Sequence, residues 1–213
     1  MSRRRSQLLD DKSLLIGVKA LTESDPHLRS EVDRYGPPPL WDRDPGFPSL
    51  LKIILEQQVS LASAQATYNK LLTKATPLTP EGLLRLSDKE LKAVGFSRQK
   101  TRYVRILAEA IISGFLDLDG LQCLDDEEVM NTLTSLTGVG PWTAGIYLLM
   151  AMRRPDVWPR GDLALLSAMR DVKELECVPS NDEAMIIADN WRPWRSVAAR
   201  ILWHHYLCVR GRD

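Results

Sequence analysis

Cysteine is scarce in this chain. Its 213 residues carry three, Cys123, Cys177 and Cys208, odd in number, far apart and without CxxC spacing. That speaks against a disulfide framework and supports neither a cysteine-held zinc nor an iron–sulfur cluster; all three are expected as buried thiols. Long apolar runs are missing as well. No stretch approaches the roughly 18 residues that cross a bilayer, and the charged start MSRRRSQLLDDK adjoins neither an apolar run nor a cleavage site. A cytoplasmic protein without a signal peptide is expected. Charge of one sign is absent too: lysine plus arginine and aspartate plus glutamate both number 28, so the global basicity of many nucleic-acid binders is lacking. Nor does any convincing alternation of apolar and polar residues mark a strand.

What remains is helical. Hydrophobic residues make up 44% of the chain, enough for a sizeable core in one large domain or two small lobes. Helix signals punctuate it legibly. Asp25 and Pro26 open PHLRSEVDRY, and the loop GPPPLWDRDPG follows. PSLLKIILEQQ and LASAQATYNKLL are broken at Val59 and Ser60, with Ser60 placed to cap the second. Thr79–Pro80 and Ser87–Asp88 open two short helices, the second ended by Gly95, and SRQKTRYVRILAEAIISG runs from a serine cap to a glycine stop. Asp125 caps DEEVMNTLTSL, Asp162 caps LALLSAMRDV, and Pro193 fits the first turn of PWRSVAARILWHHYLCV. The fold class is all-α. Charge is neutral in sum but clustered: basic at 98–105 and 192–212, acidic at 117–128. Such clusters serve as solvated faces or as a binding footprint.

Between two of these helices stands SLTGVGPWTAG, residues 135–145. Gly138 and Gly140 allow positive φ and close backbone approach, while Pro141 suits a first helical position that needs no amide donor. The product is helix, tight hairpin, helix. Exposed amides at such a turn suit a phosphate oxygen, and carbonyls on its other side suit a monovalent cation meeting the same phosphate. A GxG turn alone is equally well a structural helix stop.

The order of hairpin, WTAG, apolar helix, PRGD and helix resembles the helix-hairpin-helix superfamily of DNA glycosylases, with Asp162 lying 24 residues after Gly138. ILEQQVSLASAQATYNKLL, VGFSRQKTRYVRILAEAI and WRPWRSVAARILW agree, so the likeness covers about residues 20–207. Within the superfamily it looks most like the alkylation-repair branch, the 3-methyladenine DNA glycosylase II type. The resemblance implies a two-lobed helical fold with the active cleft between lobes, in the compact form without an additional N-terminal β-domain. Residues 61–158 would form the hairpin-bearing lobe, and 10–60 with 159–213 the other, together one glycosylase domain over 1–213.

It also implies a chemistry. Such an enzyme flips the damaged nucleotide out of the duplex, at an unstacking cost of roughly a few kcal/mol, and Gln58 in the QQVS turn falls on the residue that fills the gap. Asp162 falls on the catalytic carboxylate, which stabilises positive charge developing on the sugar and directs the attacking water. Trp142 stands where strand-cleaving relatives carry a lysine nucleophile, so the implied enzyme is monofunctional and leaves an abasic site. Trp142, Trp203, Ile146, Leu163 and His204 fall on the base pocket, where tryptophan faces favour a cationic alkylpurine such as 3-methyladenine or 7-methylguanine; Ile146, Leu163 and His204 replace aromatics at three of the family's positions. Trp191 and Trp194 read as structural; Trp41 and Trp158 have no assigned place. The DNA backbone would meet Gly138, Val139, Gly140, Thr143 and Ser60. No cofactor is required, while carbonyls of Thr134, Leu136 and Val139 would hold a structural Na+ or K+. The implied partner is double-stranded DNA with damaged bases, met by a monomer, at the nucleoid in a bacterium or in the nucleus in a eukaryote.

Two readings from other classes compete: a noncatalytic hairpin module that only grips phosphates, against which Asp162 speaks, and a helical protein-interaction domain, which leaves the motif order unexplained. Among enzymes, the alternative is a glycosylase for deaminated or oxidised bases.

Overall fold

The computed structural model describes residues 8–211; the charged start at 1–7 and residues 212–213, with Arg212 of the C-terminal basic cluster, lie outside the described residues. Among these every regular element is helical. The chain forms two compact units: one is the continuous segment Arg43–Met152, and the other joins the chain up to Asp42 to the chain from Arg153 onward.

The discontinuous unit begins with α1 (Asp11–Ser24) and α2 (Pro26–Tyr35). Asp10 and Ser13 form a capping box at the start of α1, and the Asp25 carboxylate accepts the first amides of α2, from His27 and Leu28. Each such cap stabilises by about 1 kcal/mol. The unit resumes with α10 (Leu163–Val172), α11 (Asn181–Asp189) and α12 (Arg195–Cys208), the last packing against α1, α2, α10 and α11. Its seams are polar and long-range. Buried Asp25 accepts the Trp191 indole N–H at 2.8 Å and the Lys173 ammonium at 3.1 Å. Fully buried Arg200 donates to the carbonyls of Leu40 and Ser196. Burial lowers the Arg200 guanidinium to about 10, against the opposing pull of Asp42, so it stays charged at neutral pH.

The continuous unit holds α3 (Phe47–Glu56), α4 (Leu61–Leu72), α5 (Pro80–Arg85), α6 (Asp88–Val94), α7 (Arg98–Ile112), a 3₁₀ turn at Gly120–Cys123, α8 (Asp126–Thr134) and α9 (Pro141–Ile146), which runs on as a π-helical turn through Tyr147–Ala151. Ser60, Thr79, Ser87, Ser97 and Asp125 cap α4 to α8 in turn, as their positions before each apolar run dictate. Gly95 ends α6 in the left-handed conformation, at φ 114°. The apolar side of α3, with Leu50, Leu51, Ile53, Ile54 and Leu55 buried, packs against α4, α7 and α9.

That packing moves the boundary expected from sequence. Residues 43–60 go with the hairpin, and 153–158 with the other unit, because α3 buries its apolar side on α4, α7 and α9 and the Arg43 amide donates to the Met150 carbonyl at 3.0 Å. Helix α12 starts at Arg195 rather than Pro193. Its opening amides are satisfied from a distant loop, Arg195 by the Asp156 carboxylate and Ser196 by the Pro155 carbonyl. The cysteines are not buried thiols: Cys123 and Cys177 are exposed, beside acid-rich surface and loop segments, and Cys208 is half-buried near the end of α12.

Candidate functional site

The hairpin spans residues 135–140, between α8 and α9. Val139 is buried, and its amide closes the turn on the Leu136 carbonyl at 3.0 Å. The two glycines serve different ends. Gly138 has φ 97°, and a Cβ there would lie 2.2 Å from Cγ of Tyr103, so both conformation and space demand glycine. Gly140 is extended at φ −89°, not left-handed as the sequence suggested, because it is the cap residue from which α9 departs. A Cβ there would meet nothing within 4 Å, so its outer side is open to an approaching backbone. The first intrahelical bond of α9 runs from Ala144 to the Gly140 carbonyl; the amides of Trp142 and Thr143 lie ahead of it at the positive end of the helix dipole.

Thr143 itself turns inward. Its side chain is buried, and its hydroxyl accepts from Nε2 of Gln57 at 2.8 Å, so only its main chain is offered outward. The same Gln57 nitrogen donates to the Gly138 carbonyl at 2.9 Å. Gln57 ends α3, and Gln58, Val59 and Ser60 follow as exposed residues. Gln58 adopts φ 56°, a left-handed conformation uncommon for a residue with a Cβ. Ser60 caps α4 by accepting the Ser63 amide at 3.2 Å.

In the other unit Asp162 is the cap of α10. Its Oδ1 accepts the Leu165 amide at 2.9 Å and the Trp203 indole N–H at 3.3 Å. The cap fixes the carboxylate at a helix N-terminus, where the helix dipole favours negative charge. Around it the residues differ in exposure: Leu163 is 80% exposed, whereas Trp203, on α12, is 9% exposed. His204 follows, half-buried, with its ring edge-on to Tyr35 at 6.5 Å and to Trp41 at 6.2 Å.

The expected pocket residues thus divide between the units. Asp162, Leu163, Trp203 and His204 belong to the discontinuous unit, with Trp203 in contact with Asp162; Trp142 and Ile146 belong to the continuous one, where Ile146 is buried and Trp142 half-buried. Trp191 and Trp194 are structural as read: Trp191 is buried on Asp25, and Trp194 lies against Gly17, where a Cβ would come within 2.8 Å of its ring. Trp158 stacks at a tilt on Trp191, 5.8 Å between centroids. Sequence reasoning missed the hydrogen bonds of Gln57 and the ring cluster of Tyr35, Trp41 and His204. The doubled glutamine before a serine cap was the available signal for the first. Nothing local signalled the second.

The basic clusters are less available than their composition suggests. Arg192 and Arg195 pair with Asp156 and Asp189, Arg200 is buried, and Arg210 lies over the Tyr206 ring at 3.7 Å. In the other cluster Lys100 donates to the Leu55 carbonyl at 2.6 Å, and Arg105 pairs with Asp88, while Arg98 and Arg102 are exposed. Most of this charge serves the fold.

Comparison with known proteins agrees with this arrangement. DNA-3-methyladenine glycosylase 1 of Schizosaccharomyces pombe is 27% identical over 192 residues, covering 88% of this chain and 84% of that protein. The solved structure of the 3-methyladenine DNA glycosylase of that yeast in complex with abasic DNA matches with a TM-score of 0.79 at 27% identity, covering 90% of this chain and 95% of that one. The DNA-3-methyladenine glycosidase of Bacillus halodurans matches with a TM-score of 0.76 at 28% identity, covering 92% and 91%. The family model for HhH-GPD superfamily base excision DNA repair proteins matches residues 51–195. With its glycine hairpin, its capped aspartate and this match over most of its length, the chain belongs to the HhH-GPD superfamily of base excision DNA repair proteins.

Proposed function

We infer that this protein is a monofunctional DNA glycosylase that excises alkylated purines and leaves an abasic site. The observation that carries the reading is the Asp162 carboxylate, fixed by the Leu165 amide and the Trp203 indole N–H. As the bond between sugar and base breaks, the electron pair leaves with the base and positive charge gathers on the sugar. A carboxylate held by two donors keeps its direction without reorganising, and an ion so fixed stabilises that charge. Asp162 then accepts a proton from the water that adds to the sugar carbon. Trp142, at the position of the lyase lysine in strand-cleaving relatives, has no amine to attack the sugar.

Gln58 fills the gap in the duplex and Gly138, Val139, Gly140 and Thr143 meet the phosphates through main-chain atoms, with Ser60 at the adjoining helix start. Indole faces at Trp142 and Trp203 favour a cationic base by roughly 0.5 to 2 kcal/mol each. Carbonyls of Thr134, Leu136 and Val139 suit a monovalent cation: Leu136 accepts one hydrogen bond, from Val139, and a carbonyl oxygen has a second lone pair. Such an ion would add positive charge beside the phosphate, and the hydrolysis itself draws on no cofactor. The partner is damaged double-stranded DNA, bound by a monomer where the genome lies.

Incubation with methylated duplex DNA tests this. Release of free 3-methyladenine and 7-methylguanine, with strands intact until alkali is added, is the expected result. Release of deaminated or oxidised bases alone moves the protein to the alternative substrate class, and binding without release makes it a noncatalytic module.

A further inference from the structure

We propose that Gln57 is a positioning residue that fastens the gap-filling turn to the phosphate-gripping hairpin, so that the two move as one piece; this rests on the glycosylase reading of both. A side-chain amide nitrogen carries two protons, and Gln57 has an acceptor for each: the Gly138 carbonyl at 2.9 Å and the Thr143 hydroxyl at 2.8 Å. Those acceptors lie 81 and 86 residues away in sequence, one within the hairpin and one on the first turn of α9. The next residue is Gln58, exposed and left-handed at φ 56°.

A turn that strains a residue with a Cβ persists only where its flanks hold it. Here three anchors do so. Lys100 holds the Leu55 carbonyl before the turn, Gln57 holds the hairpin at its start, and Ser60 caps α4 at its end. Of these, Gln57 alone links the turn to the hairpin. The bond goes to Gly138, the glycine packed against Tyr103, while a Cβ on Gly140 would meet nothing within 4 Å.

Replacing Gln57 by leucine keeps the volume and leaves two acceptors, one in the hairpin and one on α9, without their donor, an omission that commonly costs on the order of tenfold or more in the equilibrium it supports. Hydrogen exchange of the free protein and single-turnover excision from duplex and single-stranded methylated DNA form the test. In Gln57→Leu the amides of 58–61 and of 138–140, 142 and 143 should exchange faster together, with the remaining helices unchanged. Preference for duplex over single strands should fall roughly tenfold, and adding Gln58→Ala should lower it no further, because Gln57 acts through Gln58. Gln57→Glu, of the same shape but without the amide protons, should reproduce the effect and guards against misfolding of the leucine variant. Unchanged exchange at the hairpin in both variants, a duplex preference that survives, or losses that add with Gln58→Ala would overturn the proposal. A wild-type protein that releases no base from either DNA would sink the glycosylase reading instead, while the exchange measurement still decides whether Gln57 holds the hairpin.

Discussion

The two units share local helix caps and differ in how far along the chain their buried polar contacts reach. In the Arg43–Met152 unit each of α4 to α8 has a serine, threonine or aspartate cap at its own doorstep, and Gln57 reaches across 81 and 86 residues to the Gly138 carbonyl and the Thr143 hydroxyl. The other unit is stitched by groups far apart in the chain, such as Asp25 to Trp191 across 166 residues and Leu40 to Arg200 across 160. Local caps tolerate loss one at a time, at about 1 kcal/mol each. A buried charge deprived of its partner costs several kcal/mol, because it can neither hydrate nor pair. Asp25 and Arg200 make the discontinuous unit brittle to polar substitution, as the pair of Arg43 with buried Glu56 does the other, and added bulk would collide in both, at Gly17 and at Gly138.

The sharpest way to probe that contrast is Asp162, whose role should be catalytic rather than structural. Asp162→Asn retains an oxygen able to cap α10 but loses the charge, so base excision should fall by about 100-fold or more while folding and binding to lesion DNA persist. Single-turnover excision and thermal melting check this; a variant that melts early or stays active would return Asp162 to the role of a cap.

Next in size is a pair of glycine substitutions in the other unit. Gly138→Ala should destabilise by about 2 kcal/mol or more, since its Cβ collides with Tyr103 and its backbone is left-handed. Gly140→Ala should change stability by less than about 0.5 kcal/mol, yet weaken DNA binding if, as proposed, its open side is the one offered to the phosphate. Equal destabilisation by both, measured by denaturant unfolding, would erase the division of labour between them.

A last effect, read in the slope of stability against pH, concerns acid. Burial alone would raise the Asp25 carboxyl, but the Trp191 indole N–H and the Lys173 ammonium outweigh it and hold the group below its ordinary value of 3.8. A carboxyl lowered in the folded state lends stability that is complete above the unfolded value and drains away as pH falls through the folded one. Asp25→Asn should therefore lower the melting temperature at neutral pH and flatten its decline below about pH 4. An unchanged acid slope would show that Asp25 does not carry the seam.

Legibility from sequence depends on how near in the chain the deciding partner lies and on whether its signal is read. LASAQATYNKLL predicted α4 to the residue, because Ser60 and the apolar pattern act within one turn. The start of α12 was misplaced because its first amides are capped by Pro155 and Asp156, some 40 residues away. Helices α1 and α11 went unread although capping boxes, Asp10 with Ser13 and Ser180 with Glu183, announce both. At the site, the cap that orients Asp162 was visible in PRGD, whereas its contact with Trp203 was not, since an indole 41 residues away leaves no local mark. Sequence left the C-terminal arginines between a solvated face and a binding footprint, because composition counts charges and cannot see Asp156 and Asp189 pairing with them.

One unit interrupts the other in sequence, and this bears on the order in which the protein matures on the ribosome. The hairpin unit is finished, in one stretch, as soon as Met152 has emerged, whereas α1 and α2 are made first and their partner α12 last. At roughly 5 to 20 residues per second, Asp25 waits on the order of ten to thirty seconds for Trp191. Throughout that interval Leu14, Val18, Leu21 and Leu28, all buried in the finished protein, have no completed core to enter. The unit with the hairpin can thus fold before the unit with Asp162 is complete.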